Sequence, residues 1–334
     1  MTEPTIKTIA VDAMGGDFAP ASIIGGMIQA HENLPDLRFL LFIPQKYRTL
    51  AQKVEEFSII YYVEDIVDPE ENPLKMLKTG ANTTMGRAIA AVVAGDADAV
   101  FSCGSTGAYI TLCWKLMKLL PNLNKIALPA RIPAAHNKLN IILDVGAAHT
   151  ITENELIQFA VMGNAMARAL THNKSPRIGL LNIGTEEIKG PAHIAATHKR
   201  LKEMKHLNYQ GFVEPPQIFE DTVDVIVTDG YAGNIAVKTM KGTEVFFGRK
   251  LKQALTQTWL SKISSLGAMH YIMKMKKELD WRNYGGAPLL GLSHLAVKGS
   301  GNSDIVAVTA ALELTNIFIE NKIIEKIKRD LSQD

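Results

Sequence analysis

Thr8-Ile9-Ala10-Val11-Asp12-Ala13-Met14-Gly15-Gly16-Asp17-Phe18-Ala19-Pro20 decides the fold class. Thr8 to Val11 reads as a short buried strand. Gly15 and Gly16 make the tight turn after it, and an apolar helical run follows Pro20. Strand, glycine turn and helix form the first half of a βαβ unit. The same figure recurs along the chain. Strands are expected at Phe39 to Ile43, Ala99 to Ser102, Asn140 to Leu143, Ile178 to Asn182 and Val223 to Thr228. Helices are expected at Thr83 to Ala94, Glu153 to Leu170, Pro191 to Lys202 and Asn302 to Ile319. The expectation is an α/β protein with a mainly parallel sheet flanked by helices, as one large domain over 1–334 or as two lobes sharing a sheet. Met240 to Asp280 breaks the rhythm: it is helical in pattern, rich in Lys and Met and without a strand, and reads as a protruding insertion.

Composition narrows the function classes. An apolar fraction of 47% over 334 residues supports a substantial core and excludes a disordered or fibrous chain. Lys and Arg number 36 against 34 Asp and Glu, a net charge of +2, which excludes charge-driven nucleic-acid binding over the whole surface. Cys103 and Cys113 fit neither a zinc knuckle nor a disulfide scaffold, so a reducing cytosol is the expected compartment. Met1 to Lys7 lacks the pattern of a signal peptide, and no later run is apolar for the roughly 18 residues a spanning helix needs, so the expected protein is neither exported nor membrane-spanning.

In open parallel sheets ligands sit beyond the carboxyl ends of the strands, so the glycine turns there outline the candidate site. In the first, Asp12, Gly15, Gly16 and Asp17 can let backbone approach a ligand, with Asp17 also able to cap the next helix; a plain βα turn is the alternative. Gly104, Ser105, Thr106 and Gly107 open a helix whose amides suit a phosphate or a carbonyl oxygen. Asp144 and Gly146 mark a third turn, and Asn182, Gly184, Thr185 and Glu186 begin a fourth. Lys189 follows, just before Pro191, where its ammonium can reach an oxyanion near Gly184; a solvated loop lysine is the alternative. Asp229, Gly230 and Gly233 lead into a helix bearing Asn234, an amide donor for a developing charge, and Lys238. Gly285 and Gly286 make another turn, and Lys298 to Ser303 one more.

Several chemistries fail against these turns. The dinucleotide pattern starting at Gly299 needs a glycine where Asp304 stands. A hydrolase elbow around Ser105 needs glycine at Cys103, and a Walker loop before Lys238 needs glycines at Ala232 and Val237. Nine histidines show no metal-ligand spacing, and His193 and His294 read as ordinary polar residues, so no metal site is expected.

Taken in order, VDAMGGD, SCGSTGA, LDVGA, LLNIGTEEIKG, IVTDGYAGN, YGGAPLLG and KGSGNSD resemble the motifs of the bacterial phosphate acyltransferase family of phospholipid synthesis, from Thr8 to the final helix. The resemblance implies a Rossmann-like α/β fold similar to isopropylmalate dehydrogenases and phosphate acetyltransferases. It also implies transfer of a long-chain acyl group from acyl carrier protein to inorganic phosphate, no cofactor, a homodimer and a cytoplasmic protein at the membrane periphery, in reach of a downstream glycerol-3-phosphate acyltransferase. Lys189 and Asn234 match the family's proposed catalytic pair. Ser105, Ala148 and Ser300 stand where the family commonly has Asn, Asn and His, so no essential side-chain chemistry is assigned to them. Cys103 replaces a small non-thiol residue, which argues against an acyl-cysteine intermediate.

Phosphate is already an anionic nucleophile at neutral pH and a thioester expels a modestly basic thiolate, so positioning and charge stabilisation can suffice. Other readings remain open: a phosphate transacylase using short acyl groups on coenzyme A, a non-catalytic acyl-carrier or lipid-binding module, and a dehydrogenase by fold similarity alone. Leu251, Leu255, Trp259, Ile263 and Leu266 recur at helical spacing among Arg249, Lys250, Lys252 and Lys262, as on a membrane-surface helix or on a dimer or core face. Arg87, Lys115, Lys118 and Lys274 to Lys277 are candidate docking charges for the acidic carrier protein.

Overall fold

A computed structural model describes residues 6–68, 73–171 and 173–332, so most of the N-terminal stretch read for a signal peptide lies outside the described residues. Its strands are β1 (Lys7–Asp12), β2 (Leu37–Ile43), β3 (Ser58–Tyr62), β4 (Ala99–Ser102), β5 (Pro129–Ala134), β6 (Lys138–Leu143), β7 (Arg177–Leu181), β8 (Asn208–Val213), β9 (Val225–Val227), β10 (Ala287–Pro288) and β11 (Leu295–Lys298). Its helices are α1 (Ala21–Asn33), α2 (Arg48–Ala51), α3 (Pro73–Thr79), α4 (Thr84–Ala94), α5 (Thr106–Met117), α6 (Glu153–Thr171), α7 (Ala192–Glu203), α8 (Gly230–Thr256), α9 (Trp259–Glu278), α10 (Ile305–Glu320) and α11 (Ile323–Leu331).

Two sheets form where a single shared one was an open expectation. The first runs β10-β11-β4-β1-β2-β3 and the second β5-β6-β9-β7-β8. Each is parallel except for one edge strand: β10 is antiparallel to β11, and β5 to β6. β11 returns from the far end of the chain to pair with β4. Chain order cannot reveal such pairing, because a run of apolar residues does not specify its neighbour.

One apolar cluster crosses both sheets, from Ile9, Leu41 and Val297 to Ile141, Ile178 and Val225. The helix α6 is its spine. Leu156, Phe159, Val161 and Met166 are wholly buried, and the Glu155 carboxylate closes the helix start on the Thr152 amide at 2.7 Å. Burying one such side chain contributes about 1.5–3 kcal/mol. On the first sheet, α10 and α1 pack closely: Gly26 approaches Val308 so nearly that an added β-carbon would lie 2.3 Å from its Cγ1.

Helix ends follow their capping residues. Thr83 accepts from the Gly86 amide at 3.2 Å, and Asp304 from Ala307 at 3.1 Å, so these helices start later than the hydrophobic periodicity indicates. Pro191 is the residue before α7 rather than its first. Asp17 does not cap α1, which begins behind Pro20 without a side-chain cap.

The irregular 240–280 stretch is an arm made by the outer part of α8 and by α9, which break at Gln257 and Thr258. The Lys241 ammonium lies 5.5 Å from the centre of the Trp281 ring, so the arm leaves and returns at one place. At 1.5 Å per residue it reaches roughly 20 Å or more from that base. No helix among the described residues is long and apolar enough to cross a membrane.

Candidate functional site

Apart from Gly285 and Gly286, the candidate residues fall into three groups at the carboxyl ends of the strands. Beyond β1, β4 and β11, three turns meet through backbone. A β-carbon on Gly15 would lie 2.2 Å from the Gly104 nitrogen, and one on Gly16 would lie 2.8 Å from the Gly301 oxygen. The Asp17 amide donates to that same Gly301 oxygen at 2.7 Å, while its side chain is exposed. Asp12 does not face the solvent. It is 2% exposed and accepts from the Ser102 hydroxyl at 2.7 Å and the Met14 amide at 3.1 Å. Ser102 in turn accepts from the Gly104 amide at 3.0 Å, so a buried carboxylate organises the turn above it.

Lys298, buried beside Asp12, completes this foundation. Burial, the largest influence, raises the Asp12 pKa against the opposing pull of the Ser102 and Thr84 hydroxyls, the Met14 amide and the Lys298 charge. Burial likewise lowers Lys298, opposed by Cys103 and Asp12. The Cys103 thiol is pushed up to about 11, so it stays protonated near neutrality, and it is too enclosed to attack an acyl group. At the start of α5, Ser105 makes no side-chain cap, and Thr106 and Gly107 are exposed, leaving the first amides open to an anion.

The second group lies beyond β6 and β9. Asp144 is fully buried and its carboxylate gathers the amides of Leu128, Gly146, Ala147 and Ala148 at 2.6–3.1 Å. Burial raises its pKa and those amides oppose the rise. The first turn of α8 rests on this loop: a β-carbon on Gly233 would be 1.9 Å from the Asp144 carbonyl oxygen, and one on Gly230 would be 2.5 Å from its Oδ2. Asp229 caps α8 on Tyr231 and Ala232 at 2.9 and 2.8 Å, so those amides are occupied. Asn234 stands free by contrast. Among the described residues its side chain makes no hydrogen bond, and its Nδ2 lies 2.5 Å from where a Gly146 β-carbon would be. Glycine at 146, with φ +139°, leaves that amide uncovered. Lys238 is exposed one helical turn further along.

The third group lies beyond β7. Asn182 spans its loop from inside, donating to the carbonyls of Gly184 and Lys189 at 3.0 and 3.1 Å. Gly190, at φ +86°, permits the return, since a β-carbon there would lie 2.2 Å from Asn182 Oδ1. Thr185 and Glu186 are exposed. Glu186 pairs with the Lys189 ammonium at 2.9 Å and holds the lysine pKa up, keeping it charged. That ammonium lies 3.1 Å from the position of an added Gly184 β-carbon. The strand order β6-β9-β7 sets the second and third groups side by side at about 4.8 Å per strand. Ala147 of the second group packs on the first sheet's apolar cluster, which includes Val100 and Tyr109.

Gly285 and Gly286 stand apart, against α10. Added β-carbons would meet the Ala307 oxygen at 2.8 Å and the Ala311 Cα at 3.0 Å, so packing explains both glycines. Sequence reasoning missed the supports beneath the site: Ser102, Lys298 and the contacts made by Glu187. The one available signal was a lysine closing the apolar run Leu295 to Val297.

The frame places the chain in the fold class of the phosphotransacylases. It matches a phosphotransacetylase from Streptococcus pyogenes with a TM-score of 0.57, at 16% identity, over 96% of this chain and 94% of that one. Residues 7–326 match the family model described as "Fatty acid synthesis protein", and the chain belongs to that family. It is 38% identical to a phosphate acyltransferase of Dinoroseobacter shibae, over 97% of this chain and 86% of the relative. It is 37% identical to one of Paramagnetospirillum magneticum, over 96% of this chain and 94% of the relative.

Proposed function

We propose that this chain is a phosphate acyltransferase that converts long-chain acyl-acyl carrier protein and inorganic phosphate to acyl phosphate and free carrier protein in phospholipid synthesis. The observation that carries the reading is the uncovered Asn234 amide beside Gly146, with a charged Lys189 in the adjoining loop. Relationship over nearly the full chain to phosphate acyltransferases supports it.

Phosphate is held by the open amides at the start of α5, from Ser105 to Gly107 within the Gly104 to Gly107 turn, by the Gly184 to Thr185 backbone and by the Lys189 ammonium. One of its oxygens attacks the thioester carbonyl carbon. The carbonyl electrons move to oxygen, and the Asn234 amide donates to that oxyanion. Collapse of the tetrahedral species expels the thiolate, which takes a proton from solvent, and leaves the acyl phosphate. Exchange of Glu186 for phosphate at Lys189 costs little, because water screens an exposed ion pair and leaves it a weak contact.

The acidic carrier protein docks on a basic surface patch, and the chain acts as one α/β domain and as a homodimer. It works in the cytoplasm at the membrane periphery, where the glycerol-3-phosphate acyltransferase that consumes its product resides. The arm from Lys241 to Asp280 supports the peripheral reading, with Trp259, Leu266 and Tyr271 each more than two-thirds exposed.

Release of free thiol from palmitoyl-acyl carrier protein, with and without phosphate, tests the function while hydroxylamine traps acyl phosphate. Phosphate-dependent release with trapped hydroxamate is the expected result. Carrier binding without release would leave a binding module, and equal turnover of a short acyl-coenzyme A would withdraw the carrier-protein assignment.

A further inference from the structure

The loop that carries Lys189 has little apolar anchorage of its own. Ile183 is 72% exposed and Ile188 93% exposed, so neither side chain holds it to the core. Asn182 grips it by its backbone from beneath. The remaining grip is Glu187. Its neighbour Glu186 pairs with Lys189, whereas Glu187 turns to α7, where its Oε1 lies 2.8 Å from the Lys202 ammonium and 3.4 Å from His198 Nε2.

His198 is built to receive a carboxylate. It is 4% exposed, its ring stacks on Phe212 with centroids 4.1 Å apart, and its Nδ1 lies 2.6 Å from the Tyr209 hydroxyl. Burial, with the nearby Lys202 charge, keeps its pKa below the ordinary value, so the ring is neutral at physiological pH. A carboxylate only accepts hydrogen bonds, which puts the single ring proton on Nε2 facing Glu187 and makes Tyr209 the donor to Nδ1. The path runs from β8 through Tyr209 and His198 to Glu187 and so to the loop two residues before Lys189.

We infer that Glu187, seated on His198 and Lys202, is a positioning residue that fixes the Lys189 loop for phosphate binding. This rests on the reading that Lys189 engages phosphate, and it adds a residue outside the motif's own chemistry. Glu187 touches no reacting atom. Its effect passes through the backbone from position 187 to 189.

Steady-state kinetics with palmitoyl-acyl carrier protein and varied inorganic phosphate, on the full chain, test this. The variants are Glu187→Ala, Glu187→Gln, Lys202→Met, the Glu187→Ala/Lys202→Met double and Lys189→Ala. Glu187→Ala is expected to raise the phosphate KM about fivefold, the upper end for an exposed ion pair, with kcat within about twofold and Tm unchanged. Glu187→Gln, which keeps an acceptor oxygen, recovers part of the loss. The double variant is no worse than the poorer single one, because both remove one contact. If Lys189→Ala is impaired while Glu187→Ala keeps the wild-type KM, the positioning role falls alone. If Lys189→Ala itself turns over normally, the underlying reading falls first. A fall in kcat and Tm together, with phosphate KM unchanged, overturns positioning in favour of a purely structural contact.

Discussion

Gly15 and Gly104 touch through backbone: a β-carbon on Gly15 would lie 2.2 Å from the Gly104 nitrogen. Below that contact, the Gly104 amide is tied to Ser102 and Ser102 to the buried Asp12. The turn at the start of α5 is thus clamped from both sides, and its amides have one available arrangement.

Gly15→Ala is expected to lower stability by about 1–3 kcal/mol, as overpacking does, and to raise the phosphate KM, since the obstruction is backbone that cannot rotate aside. Thermal unfolding and a phosphate titration measure both. Gly242→Ala is the control. Position 242 lies in α8 with no atom near its missing β-carbon, so alanine there is expected to leave turnover alone and to stabilise by about 0.5–1 kcal/mol.

Asn234→Ala is expected to reduce kcat about 10²–10³-fold while changing the phosphate KM little, the signature of a donor used only as charge develops on the carbonyl oxygen. Lys189→Met is expected to act mainly on phosphate KM. Equal effects of both variants on both parameters would make the two residues a single binding unit rather than a division between phosphate and oxyanion.

Most of the parallel centre of each sheet was legible because buried strands such as Ala99 to Ser102 are continuous apolar runs closed by glycine turns, although the inner strand β11 was not expected. The edges were not. In β5, Pro129 and Pro133 argue against a strand, yet an edge strand can leave the missing amides unpaired. β8 carries Gly211 at φ +102°, and its pairing with β7 shifts register between Ile178 and Gly179, which blurs the alternation. The site divides in the same way. Glycine turns, Lys189 and Asn234 stand out in local pattern, whereas the inward orientation of Asp12 depends on Ser102 of a neighbouring strand 90 residues away, and the grip of His198 on Glu187 depends on how α7 packs beside the loop.

Acid stability is expected to depend on the charge cluster at the foot of β7. Hydrogen bonds from Lys138 and Arg177 draw the Asp221 carboxyl from the ordinary 3.8 to about 2. Burial pushes Asp224 upward, but its bonds to Arg177 outweigh that and leave it below the usual value. A carboxyl with a depressed folded-state pKa stabilises fully above its unfolded pKa and loses that contribution as pH falls toward the folded one. Urea midpoints should therefore drop from about pH 4 toward pH 2. Asp221→Asn should begin less stable at neutral pH and decline less across that window. A variant curve parallel to the wild type would remove Asp221 as the source.

The arm of α8 and α9 presents Trp259, Leu260, Ile263 and Leu266 with exposures of 57–73%, beside Lys262 and Arg249. Apolar groups with cations between them suit the boundary of an anionic bilayer, where the rings and aliphatic chains enter the acyl region and the cations stay with the headgroups. Wild-type protein is expected to pellet with anionic liposomes, and Trp259→Glu to pellet markedly less while keeping its turnover of soluble substrate, because Trp259 opens α9 at the arm's tip, separated from the Asn234 turn by most of the length of α8. Salt should weaken binding of both proteins through the cations, but the difference between them should persist, since it arises from apolar insertion. If Trp259→Glu pellets like the wild type, the apolar face belongs to a contact between copies of this chain, and sedimentation equilibrium should then show the variant dissociating at concentrations where the wild type remains paired.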